Sequence, residues 1–343
     1  MPTPTIPAGN LYINATLWNG TGAVASITNG APGASFQPDF VWIKSRSSAN
    51  SHRLFDSVRG ATKILISNAT NAEATESDSL TAFNSNGFAL GADTVGGGVN
   101  TSGRTYVGWQ WKAGGTAVSN TAGSITSSVS ANTTSGFSVV KFTSGASAGF
   151  SVGHGLGATP ALIIQKKTDA VGGWLVAHQN MSASGITSGY LQLQTTDAFT
   201  SNANVFTNVN SSTITEGSVV SNNAAQIMYC WAPIAGYSAF GSYTGNGSAD
   251  GTFVYLGFRP KFVMTKKSSG TEDWAIIDSS RSSYNLQGAD LYADLAIAEG
   301  TSGYDLLSNG IKFRSSGGSW NASGATYIYM AFAETPFKYA LAR

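Results

Sequence analysis

Apolar runs that begin just after a proline recur three times along the chain. They are Pro38-Asp-Phe-Val-Trp-Ile-Lys44, Pro160-Ala-Leu-Ile-Ile-Gln-Lys166 and Pro260-Lys-Phe-Val-Met-Thr-Lys266. A short apolar run bounded in this way predicts a buried strand. The proline occupies the first position of that strand, where its missing N–H does least harm to the pairing.

A fixed spacing connects each apolar run to two later features. An aromatic ring follows each proline after 14 residues, at His52, Trp174 and Trp274. An apolar, ring-rich strand ends about 72 residues after each proline, at Trp111, Trp231 and Phe332. A repeat of about 100 residues is longer than one turn of a solenoid, so we expect three small tandem domains.

Turn signals separate short alternating strands within each repeat. Asn-Gly lies between apolar stretches in Phe83-Asn-Ser-Asn-Gly-Phe-Ala-Leu90 and in Leu306-Leu-Ser-Asn-Gly-Ile-Lys-Phe313. This dipeptide is the strongest short hairpin signal, because both residues tolerate positive φ. About seven short strands per repeat, with turns every 8–12 residues, predict a β-sandwich. We therefore expect an all-β protein of three tandem β-sandwich (jelly-roll or concanavalin-like) units.

The pattern divides the chain into five regions. We expect an extended N-terminal arm at residues 1–10, a first unit at 11–112, a Gly/Ser/Thr-rich linker at 113–136, and further units at 137–233 and 237–343. Pro2, Pro4 and Pro7 pre-extend the arm. We expect the arm to dock on a neighbouring protein during assembly, with a floppy terminus as the alternative.

Composition narrows the class of partner. Charged residues make up 11% of the chain and the net charge is +1, which argues against a nucleic-acid binder with a basic face. The chain has no run of 18 apolar residues, so no membrane-spanning helix is predicted. Its first residues lack the features of a signal peptide. Cys230 is the single cysteine, which excludes an intrachain disulfide framework.

Charged residues recur in two of the repeats. Asp56 and Asp278 lie 18 residues after their prolines, with Arg59 and Arg281 three residues further on. We interpret each as a structural charge pair that braces a loop. The alternative makes Asp and the later Glu73 or Glu299 the paired carboxylates of a glycosidase. The second repeat has His178 and Met181 at the equivalent positions.

No other motif predicts chemistry. His52, His154 and His178 occupy unrelated positions without the spacing of a zinc site. Cys230 lies in an apolar strand, as a small buried hydrophobe would. We therefore expect no catalytic residues, no metal site and no cofactor.

Surface aromatics are the remaining candidates for binding. The chain has eight tryptophans and thirteen tyrosines, more than three small cores require. Trp42, Trp109, Trp274 and Trp320 are candidates for stacking on a glycan. For any single tryptophan, a core position is the alternative interpretation.

Several segments together resemble a family of phage proteins. They are Phe36-Gln-Pro-Asp-Phe-Val-Trp-Ile-Lys44, Leu54-Phe-Asp-Ser-Val-Arg-Gly60, Trp109-Gln-Trp-Lys-Ala-Gly-Gly115 and Leu256-Gly-Phe-Arg-Pro-Lys-Phe-Val263. The family comprises uncharacterised tandem-repeat virion proteins of tailed phages of marine and freshwater bacteria, cyanophages included. The resemblance covers nearly the whole chain after residue 10 and implies a virion protein that is not an enzyme. It assigns no role to any residue.

The resemblance and the pattern lead to one functional expectation. We expect a virion protein, made in the host cytoplasm, that forms part of a tail fibre or baseplate and adheres to a host surface glycan. A capsid decoration or head-fibre protein is the alternative, and a polysaccharide depolymerase is a remote one. The expected partners are other virion proteins and host polysaccharide, without nucleic acid or membrane insertion. A homo-oligomer is expected, with a trimer favoured.

Overall fold

The computed structural model describes residues 9–30, 35–94, 97–220, 222–282 and 284–334. Strands hold 44% of the residues and helices 2%, which confirms the predicted all-β class. Of the predicted N-terminal arm, residues 1–8 lie outside the described residues, and Gly9–Leu11 form a 3₁₀ turn. For description we divide the chain into a first segment (residues 9–113), a second (114–234) and a third (235–334).

The strands follow one another with short connections. In the first segment they are β1 (Ile13–Asn19), β2 (Ala25–Thr28), β3 (Phe40–Ser45), β4 (Arg53–Asp56), β5 (Lys63–Ile64), β6 (Ala74–Thr75), β7 (Leu80–Asn84), β8 (Gly87–Leu90) and β9 (Thr105–Trp111). In the second they are β10 (Val118–Asn120), β11 (Ser127–Asn132), β12 (Phe137–Thr143), β13 (Ser151–Gly153), β14 (Leu162–Lys167), β15 (Trp174–His178), β16 (Gly189–Gln192), β17 (Thr200–Ser201), β18 (Phe206–Val209), β19 (Thr213–Glu216) and β20 (Ala225–Trp231). In the third they are β21 (Ser238–Thr244), β22 (Phe253–Tyr255), β23 (Pro260–Lys267), β24 (Ala275–Asp278), β25 (Gln287–Tyr292), β26 (Gly300–Leu307), β27 (Gly310–Phe313) and β28 (Thr326–Ala333), with the short helix α1 (Gly318–Asn321) before β28.

Four strands are arranged in the same order in each segment, and we call them the central sheets. The orders are β1-β9-β3-β4, β12-β20-β14-β15 and β21-β28-β23-β24. The register is also the same: the residue two positions after the proline pairs with the end of the closing strand, as Phe40 with Trp111, Leu162 with Trp231 and Phe262 with Phe332. Pro38 and Pro160 therefore lie two residues before equivalent strands, and Pro260 is the first residue of the third, as their spacing predicts.

A second set of three strands also repeats. The orders are β2-β8-β7, β13-β19-β18 and β22-β27-β26, and the middle pairs are Ile27 with Phe88, Val152 with Ile214 and Val254 with Ile311. In the third segment, β25 pairs with both β24 and β26. This strand therefore joins the two sets into one eight-stranded sheet.

The predicted linker at residues 113–136 is instead part of the second segment's sheet. β10 pairs with β11, and β11 pairs with β12 from Ser128 to Asn132. Val129 is buried here, and Gly114 approaches so closely that a Cβ there would lie 2.4 Å from the Ala131 carbonyl oxygen. Small polar residues resemble a loop in the sequence, but they also form strands where backbones approach closely.

The inner strands of the central sheets are buried on both faces. In the first segment, Val41 and Ile43 pack with Leu80 and Phe88 of the three-stranded sheet. The alternate residues of β3, such as Trp42, face a larger core that the three segments share. Because neighbouring residues of a strand point to opposite faces, burial of both faces explains why these strands are continuous apolar runs without alternation.

Trp111 lies at the meeting point of the three segments. Its ring centroid is 5.4 Å from that of Phe40 in its own segment, 6.1 Å from that of Trp231, and 5.2 Å and 5.9 Å from those of Phe262 and Phe332. Tilted and edge-to-face contacts at these distances add to the stabilisation from burial alone. The shared core is therefore aromatic at its centre.

Replacing Trp111 with alanine should lower the free energy of unfolding by about 3–5 kcal/mol, because the ring contacts all three segments. Trp111→Phe is the matched control, since the third segment carries Phe332 at the equivalent register. We expect this variant to lose much less stability. Urea denaturation followed by tryptophan fluorescence measures both, and equal losses would contradict a central role for the larger ring.

Candidate functional site

Hydrogen bonds between equivalent backbone positions join the three segments into a closed ring. The bonds run from Glu73 N to Thr168 O (2.8 Å), from Phe199 N to Ser268 O (3.0 Å) and from Glu299 N to Arg46 O (2.7 Å). Each acceptor lies eight residues after its proline. Since the first segment donates to the second, the second to the third and the third to the first, no segment is left at an end.

The aromatic side chain that follows each proline by 14 residues also donates a hydrogen bond to another segment. Trp174 Nε1 donates to Ile66 O at 2.9 Å, and Trp274 Nε1 donates to Gln192 O at 2.8 Å. His52 Nδ1 accepts from Trp42 Nε1, so its Nε2 carries the proton and donates to Tyr292 O at 2.8 Å. Burial lowers the pKa of His52 to about 3, so the ring is neutral. The repeated feature is thus a ring N–H that reaches a neighbouring segment.

The predicted pair Asp56–Arg59 is present and completely buried. Asp56 Oδ2 accepts from Arg59 Nε at 2.5 Å, and Oδ1 accepts from the amides of Val58 and Arg59. Tyr229 of the second segment donates its hydroxyl to the same Oδ2 at 2.8 Å. The guanidinium also reaches Glu73 at 3.2 Å. The pair therefore braces its own loop and also holds the second segment.

The second predicted pair repeats this geometry in the third segment. Asp278 Oδ2 accepts from Arg281 Nε at 2.5 Å and from Trp109 Nε1 of the first segment at 2.9 Å. Arg281 Nη1 contacts Glu299 at 3.3 Å. Burial alone would raise the pKa of Asp278, but the charge of Arg281 and the hydrogen bonds from Trp109 and Arg281 outweigh it and hold that pKa below its ordinary value of 3.8. This carboxylate stays ionised in the core.

The third interface has no such pair. His178 occupies the aspartate position, accepts from the Asn180 amide through Nδ1 and donates through Nε2 to Tyr329 O at 3.1 Å. Burial lowers its pKa to about 4. The closing-strand residue that faces it is Met330, at the register of Trp109 and Tyr229. A methionine has no proton to donate, so an aspartate here would lack one of its partners.

The four tryptophans proposed as glycan-binding residues are in the core, which corrects that interpretation. Trp42, Trp109, Trp274 and Trp320 are at most 3% exposed. Each indole N–H has an internal acceptor: Trp42 and Trp109 donate to His52 and Asp278, and Trp274 and Trp320 to Gln192 O and Ser302 Oγ. None presents a ring face that a sugar could reach.

The glycosidase alternative gains no support from the positions of the carboxylates. Asp56 and Glu73 bind the same guanidinium, and so do Asp278 and Glu299. Each aspartate has four donors and no exposed surface, so neither can take a proton from a substrate or water. Within the described ranges, no three His, Cys, Asp or Glu side chains are grouped to hold a metal. The described part of the chain also contains no helix of membrane-spanning length and hydropathy.

Glu216 is a buried carboxyl group for which the sequence analysis gave no signal. Glu216 is completely buried, its Oε2 accepts from Gln165 Nε2 at 3.0 Å, and its Oε1 has no hydrogen-bond partner in the described structure. Burial raises the pKa of Glu216 to about 8, although the hydrogen bond from Gln165 opposes this shift. The group is therefore largely protonated at neutral pH.

Asp278→Asn should destabilise the protein by about 3–5 kcal/mol at neutral pH, because it leaves the buried Arg281 with only the more distant, partly exposed Glu299 as a counter-charge. The folded-state pKa of Asp278 is depressed, so the stability it contributes is present above pH 3.8 and is lost as the pH falls further. The gap between wild type and variant should therefore narrow below about pH 4. Chemical denaturation at several pH values measures it. Asp250→Asn, in an exposed ion pair with Lys312, is the control and should change little.

Glu216→Gln should stabilise the protein relative to wild type increasingly from about pH 5 to about pH 8. Between pH 4.5 and about 8 the unfolded chain has lost this proton and the folded chain has kept it, so ionisation opposes folding increasingly as the pH rises through this window. We expect the variant to gain over wild type by a few kcal/mol between pH 5 and pH 8. A constant difference across this range, in thermal or urea unfolding, would contradict the prediction.

The comparisons with known proteins give one match. A domain of unknown function, DUF7483, matches residues 8–336. No curated protein and no solved structure matches the chain. The matched range includes the three central sheets and the hydrogen bonds that close the ring. The chain therefore belongs to the DUF7483 family.

Proposed function

We propose that this protein is a non-enzymatic structural protein of a phage particle, and that it mediates attachment to a polysaccharide on the host surface. In this proposal the chain consists of three tandem β-sandwich units of about 100 residues. Its partners are other virion proteins and the host polysaccharide. The proposed oligomer is a trimer.

The closed ring of backbone hydrogen bonds is the observation that carries the proposal. Both buried Asp–Arg pairs and all three ring N–H groups bond to neighbouring segments. Charged and aromatic side chains that bond to neighbouring segments in this way stabilise a rigid structure. They leave no position at which a substrate could bind to them. The equal registers of the central sheets support three tandem units, and the resemblance to phage virion proteins supplies the setting.

A capsid decoration or head-fibre protein is the second candidate. One observation favours it: the segments close on themselves, so the described ranges include no elongated shaft of the kind that fibres carry. The depolymerase alternative would need accessible paired carboxylates, and the two repeated sets are bound to buried arginines.

Location and copy number on the particle distinguish these functions. We expect gold-labelled antibodies to mark the tail in electron micrographs, and quantitative mass spectrometry to give a few to some tens of copies per particle. Antibody label on the head, together with hundreds of copies per particle, would support capsid decoration instead of host attachment. Absence of the protein from purified particles would overturn both.

A further inference from the structure

The third segment exposes two apolar residues on its strand β22 and two more in the loop before β25. Phe253, Tyr255, Tyr284 and Leu286 are 42%, 58%, 86% and 62% exposed. We call these four residues the aromatic face. Exposed rings grouped in this way differ from the scattered single apolar residues of an ordinary surface.

The strand register brings the four residues to one end of the sheet. Val254 points inward and pairs with Ile311, so Phe253 and Tyr255 point outward. Ile311 pairs with Leu306, whose backbone exchanges two hydrogen bonds with the Asn285 side chain. Tyr284 and Leu286 flank Asn285, three strand positions from Val254. At 4.7–4.9 Å per strand the aromatic face spans roughly 14 Å.

Glycines support the two rings on β22. A Cβ built on Gly310 would lie 3.0 Å from Phe253 Cε2, and one built on Gly257 would lie 3.6 Å from the Tyr255 hydroxyl. Gly310 accepts no side chain, because its Cβ would lie 2.1 Å from the Val254 carbonyl oxygen. The edge of each ring therefore lies close to a glycine, at a point that the side chain of a larger residue would contact.

Balanced charges surround the rings. Lys312 Nζ lies 2.9 Å from Asp250, and Arg314 Nε lies 2.6 Å from Asp305. Two cations and two carboxylates give this group no net charge, so it does not select a charged ligand. Side chains of both signs nevertheless supply hydrogen-bond donors and acceptors beside the rings.

The other two segments show that the fold does not require rings at these positions. At the register of Phe253 and Tyr255, the first segment has Ser26 and Thr28, and the second has Ser151 and Gly153. The same strand forms with small polar residues in both. Formation of this strand therefore does not explain the rings of the third segment.

We propose that the aromatic face binds an uncharged, hydroxyl-rich polysaccharide. Sugar rings stack on Phe253 and Tyr255, and their hydroxyl groups bond to the neighbouring Lys312, Arg314 and carboxylates. A chain of sugars fits a narrow row of about 14 Å. A stable protein interface needs about 20–30 residues on each side, many more than these four and their polar neighbours. The inference rests on the proposed function only in taking the ligand to be a host surface polysaccharide.

Affinity electrophoresis of the purified chain tests the proposal. The native gels contain a β-glucan, an α-glucan, a mannan or a galactan, with the polyanion alginate as a fifth probe. We expect at least one neutral polysaccharide to retard wild type, and Phe253→Ser/Tyr255→Thr to weaken its binding by at least about tenfold. The double variant carries the residues of the first segment, so it should fold, which circular dichroism and thermal unfolding check.

Val118→Ser/Val171→Ser is the matched control, because both valines are exposed in the second segment, and it should bind as wild type does. Retention of binding by the aromatic-face variant, binding to alginate alone, or no binding to any neutral probe would overturn the proposal. So would sedimentation showing a wild-type dimer that the variant loses, since the face would then contact a second copy. The assay uses no particles, so a protein that binds sugar but is absent from virions would contradict only the proposed function.

Discussion

Burial of three central sheets against one another is the interaction on which the other features depend. In the first segment, one face of the sheet packs on a core of its own and the other on the shared core, and the second and third segments belong to the shared core. A single segment alone would expose rings such as Trp109 and Trp111 to water, at a cost of about 25 cal/mol for each Å². The shared core therefore binds the three segments into one folding unit, and the polar groups at its edges must find partners across the interfaces.

The three interfaces meet that requirement in related but unequal ways. Where the closing strand offers an indole or phenol donor, at Trp109 and Tyr229, the facing residue is an aspartate with its arginine. Where it offers Met330, the facing residue is a neutral histidine. Among the three interfaces, the closing-strand residue and the residue that faces it thus differ together. This correspondence is the physical reason that the second repeat lacks the charge pair.

The sequence predicts the local features of this fold well. The prolines, the two hairpins and the i,i+3 charge pairs depend on neighbouring residues, and the structure has them near where the pattern places them. The turn residues of the hairpins are Ser85–Asn86 and Ser308–Asn309, with each glycine at the start of the next strand. The contacts between segments were not predictable, because His52 and Tyr292 are 240 residues apart and no spacing connects them. The four tryptophans were misassigned for a related reason. Three separate cores leave an apparent surplus of rings, and the shared core takes up that surplus. The strands at 118–132 were missed because serine and glycine indicate loops unless a partner strand is known.

The closed ring has a further consequence for how such a protein can change. In a homotrimer, every substitution is present in all three subunits at the same position. Here the equivalent positions are encoded separately, so one can acquire a phenylalanine while the other two keep serine. A single polypeptide thereby combines the stability of a trimeric assembly with a surface that differs on every side.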